Sequence, residues 1–203
     1  MPRNHQEVPR VQREHSILEH ARELFVRHGY RGTSVPAVAH AVGIAPAAVR
    51  WYFPTKDELF AAVVSAKFGE ATSRIESDPD IGGDPRIELV QALLALEPYR
   101  TLHRDAYERV ETSESVRAVY MRIHSWLDYR VLEIVSQHAP VNFDGALIAD
   151  IAHVMFEGLL IRSRTVDRPP AAVVELLVET LVATLGQTPP IGKVLKASTV
   201  RRS

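Results

Sequence analysis

Between Gly29 and Glu58 the chain is punctuated so closely that no long element fits. Gly29, Gly43, Pro46 and Pro54 stand within 26 residues, each at a place where a helix starts or stops. Glycine takes the left-handed conformation that ends a helix. Proline suits the first helical turn, whose amides have no intrahelical acceptor, and restrains the residue before it from continuing a helix. The spacing therefore predicts a first helix from about Val11 to His28, with Ile17, Leu18, Ala21, Leu24 and Phe25 as its apolar stripe and Gly29 at its C′ position. A short helix over Val35–Ala41 follows, capped by Thr33 or Ser34 and broken at Gly43. A shorter one runs over Pro46–Tyr52 and stops before Pro54. Thr55 and Glu58 then form a T-x-x-E capping box that opens a long helix to about Ser77.

The remainder also reads as helix. After the loop DPDIGGDP (78–85), helical patterns occupy about 85–97, 100–110, 114–138, 144–164 and 170–186, with turns at Pro98, Thr112-Ser113, 140–142 and Pro169-Pro170. No alternating strand pattern and no internal repeat is found. The fold class expected is all-α: a flexible arm over 1–10, a three-helix unit over 11–55, a larger helical domain over 56–188 and a flexible tail over 189–203, about nine helices in all.

Composition closes several functional classes. The 203 residues contain no cysteine, which excludes disulfides, thiolate metal sites and cysteine catalysis and suits a reducing compartment. The first residues, MPRNHQEVPRVQREH, hold no apolar core of the kind a secretory signal needs. No run approaches the roughly 18 apolar residues of a spanning helix. A cytoplasmic chain without membrane contact is expected. Residues 1–60 carry 8 Lys and Arg against 6 Asp and Glu, whereas residues 61–203 carry 16 against 19. That asymmetry permits a polyanion partner for the N-terminal part only.

Two short helices joined through a glycine and preceded by a longer one make a helix-turn-helix candidate. On the second short helix, Ala47 and Ala48 allow close approach to a major groove and can meet thymine methyls. Arg50 could reach a guanine edge or a phosphate. Trp51 and Tyr52 carry N–H and O–H groups that suit phosphate oxygens, although the same run suits core packing. Lys56 sits in the first turn of the next helix, beside amides that form an anion site. Val38, Val42, Val49 and Phe53 would fill the core behind. Arg10 and Arg13 could enter a minor groove as an arm does, or remain solvated.

These motifs resemble the DNA-binding domain of TetR-family transcriptional regulators. The matching features are A-R-E-L-F at 21–25, G-Y-x-x-T-S at 29–34, V-A-x-x-V-G at 38–43 and Y-F-x-x-K-x-E-L at 52–59. The resemblance implies a homodimer that binds a double-stranded operator and a small-molecule effector, without enzymatic activity or a cofactor. It places Thr33, Ser34, Tyr52 and Lys56 on phosphates. The family usually has serine at the position of Ala45, a glycine or small residue at Ala47, threonine at Ala48, tyrosine at Arg50 and histidine at Trp51. Operator preference is therefore expected to differ from that of relatives.

The C-terminal half holds no nucleophile elbow, phosphate loop or dinucleotide fingerprint. His103, His124, His138 and His153 are scattered, and no metal site is expected. The resemblance predicts an effector chamber among the helices at 85–138, with Leu93, Leu96, Tyr99, His103, Tyr107, Tyr120, Ile123, His124, Leu127 and Arg130 as candidates. Their chemistry suits an effector with an apolar body and one or two polar handles; the same stripe also suits plain core. The last two helices, IADIAHVMFEGLLIRS and AAVVELLVETLVATLG, are apolar around most of their circumference, wider than one intramolecular face requires. A dimer interface is expected there, using Leu147, Ile151, Val154, Met155, Gly158, Val174, Leu177 and Leu181. The rival readings are a helical small-molecule-binding protein, or an enzyme, with a vestigial head.

Overall fold

In a computed structural model of the chain, residues 9–137, 144–160, 169, 171–173, 175–176 and 179–180 are described, and no strand occurs among them. Through residue 160 the described residues form eight α-helices in order: α1 (Arg10–Gly32), α2 (Val35–Val42), α3 (Pro46–Tyr52), α4 (Lys56–Ser77), α5 (Pro85–Leu96), α6 (Arg100–Tyr107), α7 (Glu114–Ser136) and α8 (Gly145–Leu160). The helix expected over 170–186 falls largely outside the described residues, as do most of the expected arm and the whole expected tail, and also His138, Val174, Leu177 and Leu181.

Polar caps fix most of the starts. The side chains of Ser34, Thr55, Asp84 and Ser113 accept backbone N–H groups at the heads of α2, α4, α5 and α7, each satisfying donors that the helix cannot. Ser34, not Thr33, caps α2. Ala45 offers no side-chain cap to α3, whose start rests on Pro46. Gly43 (φ 75°, ψ 34°) ends α2 in the left-handed conformation, with Gly43 N–H donating to His40 and Ile44 N–H to Ala39. This double closure makes the tight turn that orients α3 on α2.

Two expectations need correction. Gly29 has the anticipated positive φ of 68°, but its ψ of 177° is extended, and a further turn runs to Gly32. The cause is tertiary: Tyr30 N–H donates to Asp105 Oδ2 at 2.6 Å instead of closing the helix. Pro98 lies within a 3-10 turn, Glu97–Tyr99, that carries α5 into α6 without a loop.

α1, α2 and α3 pack with the start of α4 around Ile17, Ala21, Phe25, Val38, Val49 and Phe60, all fully buried. Phe25 and Phe60 meet edge to face at 5.0 Å, and Tyr30 meets Phe60 the same way at 5.2 Å. α4 then continues against α5 and α7, which also pack on each other, and α7 packs on α8, with Leu127, Val131, Ile148, Ala152 and Phe156 buried in the shared core. α6 touches α1, α4, α7 and α8, so one two-turn helix adjoins both the three-helix head and the helical body.

Candidate functional site

The surface of α3 is divided by its periodicity. Val49 points inward and is fully buried, whereas Ala47, Arg50 and Trp51 are exposed and Ala48 and Tyr52 are half-buried. Trp51 is 64% exposed, which removes the core reading for that ring; Tyr52 packs partly against the core. The two rings meet at 4.8 Å, near perpendicular. Arg10 lies over the Trp51 ring at 4.8 Å, a cation–π contact that ties the start of α1 to α3. Arg13, Ile44, Ala48, Trp51 and Tyr52 line a groove of about 260 Å³. Arg10 and Arg13 thus belong to α1 itself and join this face through the fold.

The residues predicted to meet phosphates separate. Ser34 is exposed at the N-cap of α2. Thr33 is only 2% exposed, and its hydroxyl donates to the Gly29 carbonyl at 2.9 Å; its side chain braces the head from within. Lys56 donates through Nζ to the carbonyls of Tyr30 (3.0 Å) and Thr33 (3.1 Å), and lies 3.9 Å from the centre of the Tyr30 ring. It satisfies the frayed end of α1 with two of its three protons. Burial lowers the Lys56 amine from its ordinary range, Arg109's charge lowers it further, and Asp57 opposes both.

A latch joins head and body beneath this face. Arg109 donates to both oxygens of Asp57, Nε to Oδ1 and Nη2 to Oδ2, each at 3.0 Å. The Tyr30 hydroxyl also donates to Asp57 Oδ1, and the Arg109 guanidinium stacks 4.0 Å from the Tyr30 ring. Burial pushes the Asp57 carboxyl up, but hydrogen bonds from Arg109 and Tyr30 together with Arg109's charge outweigh it and hold the carboxyl below its usual value. Sequence reading missed this latch, since Tyr30, Asp57 and Arg109 lie on three elements with no common period.

In the body, Leu96, Tyr99, His103 and Ile123 line a cavity of about 30 Å³, together with Val64, Lys67, Phe68 and Leu102, which sequence reading did not single out. Leu93 and Leu127 are plain core. Tyr107 is about half exposed and is not among the residues that line this cavity. Arg130 is no free handle: it pairs with Glu88 at 2.6 Å, Glu133 at 2.7 Å and Glu76 at 3.2 Å, bracing α4, α5 and α7. Tyr120 and His124 turn instead toward Glu157 of α8.

The outer face of α8 carries Leu147, Ile151 and Val154, exposed at 49%, 36% and 70%, with Gly158 exposed and Met155 half-buried. Ile148, Ala152 and Phe156 on the other face are buried.

This geometry defines a helix-turn-helix protein whose second short helix, α3, stands outward on a short, braced head. Residues 17–63 match the model for the bacterial regulatory proteins of the tetR family. The HTH-type transcriptional regulator BetI of Brucella anthropi is 25% identical over 184 residues, covering 84% of this chain and 92% of that protein. YuxN of Bacillus subtilis, described as an HTH-type transcriptional regulator, is 30% identical over 46% of this chain and 32% of its own. Among solved structures, one described as a TetR-family regulator from Rhodococcus sp. superposes with a TM-score of 0.66 at 16% identity, covering 85% of this chain and 99% of that one. A regulator from Saccharomonospora viridis in complex with choline does so at 0.64 and 17% identity, over 88% and 98%. Over residues 17–63 the chain matches the tetR family, and its helices share the fold of solved TetR-family regulators. Regulators of this family bind DNA and small-molecule effectors as dimers. No helix among the described residues is long and apolar enough to cross a membrane.

Proposed function

We propose that the protein is a homodimeric repressor that leaves a roughly palindromic operator when a small molecule enters the helical body. Each head would lay α3 in the major groove with Ala47 and Ala48 against base edges and Arg50 reading one of them. Ser34, Tyr52 and the remaining Lys56 proton would take phosphates, and Trp51 would bring its indole N–H to the backbone. The exposed apolar stripe of α8 supports pairing of two copies, which sets the two reading helices about 34 Å apart or at a multiple of that spacing.

The observation that carries ligand response is the double attachment of α6 to the head. His103 on α6 lines the body cavity, and two residues on, Asp105 accepts the Tyr30 amide at 2.6 Å. Arg109, just past the same helix, grips Asp57 at the start of α4. A cavity of about 30 Å³ is far below the roughly 300–1,000 Å³ that drug-sized ligands occupy. An effector with an apolar body would therefore part α4, α5 and α6, and any shift of α6 acts directly on the head. It does so only as far as the effector favours the opened arrangement.

The test is a band shift with DNA flanking the coding region, repeated against a ligand panel that includes choline, the molecule bound in the S. viridis structure. A shifted band that weakens steeply between about 50 and 200 mM salt, and is released by one ligand class, is expected. Equal affinity for random DNA, or binding insensitive to salt, would remove the operator reading.

A further inference from the structure

His103 on α6, His124 on α7 and Glu157 on α8 come from three helices, 21 and 33 residues apart, yet their ligand atoms all lie within 4.8 Å of one another. His124 Nε2 lies 2.9 Å, and His103 Nε2 3.2 Å, from the same oxygen, Glu157 Oε1. The edge of a tetrahedron whose centre-to-ligand bonds are about 2.0–2.2 Å is about 3.3–3.6 Å, so the two His–Glu edges need to lengthen by only a few tenths of an ångström, with the two imidazoles, within 4.8 Å of each other, settling to the same edge. Glu157 Oε2 and His124 Nδ1 have no hydrogen-bond partner among the described residues, and His124 is 1% exposed. The Tyr120 hydroxyl also reaches Glu157, and the His153 ring lies 4.1 Å from that of His124. A buried carboxylate crowded by two imidazoles, with one oxygen over-used and the other unused, is a poor arrangement for a purely structural ion pair.

We propose that His103, His124 and Glu157 form a binding site for one divalent transition-metal ion per chain, of the zinc type, which clamps α6 to α7 and α8. Two imidazoles and one carboxylate, with no thiolate in the chain, match the nitrogen and oxygen preference of zinc and its neighbours and leave one position open. Magnesium and calcium call for more oxygens than the site offers. His103 also lines the body cavity, so the open position adjoins the space assigned to an effector. The binding itself does not rest on the regulatory reading.

The untagged full-length protein, stripped with a chelator, is titrated with Co²⁺ and followed by its visible absorption, and with Zn²⁺ by calorimetry. One ion per chain and the intense bands of four- or five-coordinate cobalt are expected, with no saturable heat from Mg²⁺ or Ca²⁺. Loss of a direct ligand in His103→Ala or Glu157→Gln should weaken binding by at least about 100-fold, since removal of mere supporting groups already weakens metal sites about 10–100-fold. Circular dichroism checks that each variant folds. Should both unfold, X-ray absorption of the zinc-loaded parent decides, two imidazoles and a carboxylate being required. Failure of the parent to bind either ion stoichiometrically, uptake unchanged in a folded variant, or a different ligand set would overturn the site.

Discussion

The latch between head and body should be measurable as an interaction energy between Asp57 and Arg109. Their side chains are 25% and 27% exposed and share two N–H···O bonds of 3.0 Å. Fully exposed pairs contribute about 0.2–1 kcal/mol, and breaking fully buried ones costs about 3–5 kcal/mol. A paired, charge-assisted geometry at one-quarter exposure falls between, at about 1.5–3 kcal/mol. The perturbation is a double-mutant cycle of Asp57→Ala, Arg109→Ala and both together. Urea unfolding at one fixed protein concentration reads it, because dimerisation would make stability concentration-dependent. An interaction of 2 kcal/mol corresponds to about 4–8 °C in Tm for a chain of this size. The sign of the pH dependence follows from the depressed Asp57 carboxyl. Its folded pKa lies below the unfolded value of about 3.9, so the coupling is fully present above that and is lost as pH falls through the folded value. Tyr30→Phe should cost about 1 kcal/mol alone and nothing in the Asp57→Ala background. A coupling below about 0.5 kcal/mol would place the pair among ordinary surface contacts and refute its role as a latch.

Lys56→Ala should weaken binding to all DNA alike and also lower stability, because Nζ closes the end of α1; Arg50→Ala should relax preference at one base position by about 1–3 kcal/mol. Equal losses for both variants on specific and random DNA, in filter binding, would remove the base-reading role. Val154→Glu with Leu147→Glu should leave the helix content of the chain unchanged, yield monomers in light scattering and abolish tight operator binding; a dimer of unchanged mass would exclude the α8 stripe from the interface. Phe60→Ala should destabilise the head by about 3–5 kcal/mol, since the ring is fully buried between Phe25 and Tyr30, and a loss below 1 kcal/mol by urea titration would contradict that packing.

Local chemistry made much of the head legible in advance. Glycine, proline and short polar caps act within a few residues, so the starts and stops of α2, α3 and α4 followed from Gly43, Pro46, Pro54, Thr55 and a cap at Thr33 or Ser34, of which the structure chose Ser34. The exposure of Ala47 and Arg50 followed from the same period that buries Val49. Where a distant partner intervened, local reading failed. Gly29 keeps its positive φ but not the left-handed helical ψ, because Asp105, 76 residues away, claims the next amide. Thr33 faces inward to close the turn that results.

In the body the division runs the other way. Apolar periodicity determined that 85–137 is helical, but it treats core and chamber alike, since both want the same side chains. Tertiary packing alone decided that Leu93 and Leu127 are core, that Arg130 is consumed by three carboxylates, and that His103, His124 and Glu157 meet. Electrostatic partnership depends on distance in space, and across three helices that distance has no trace in sequence spacing.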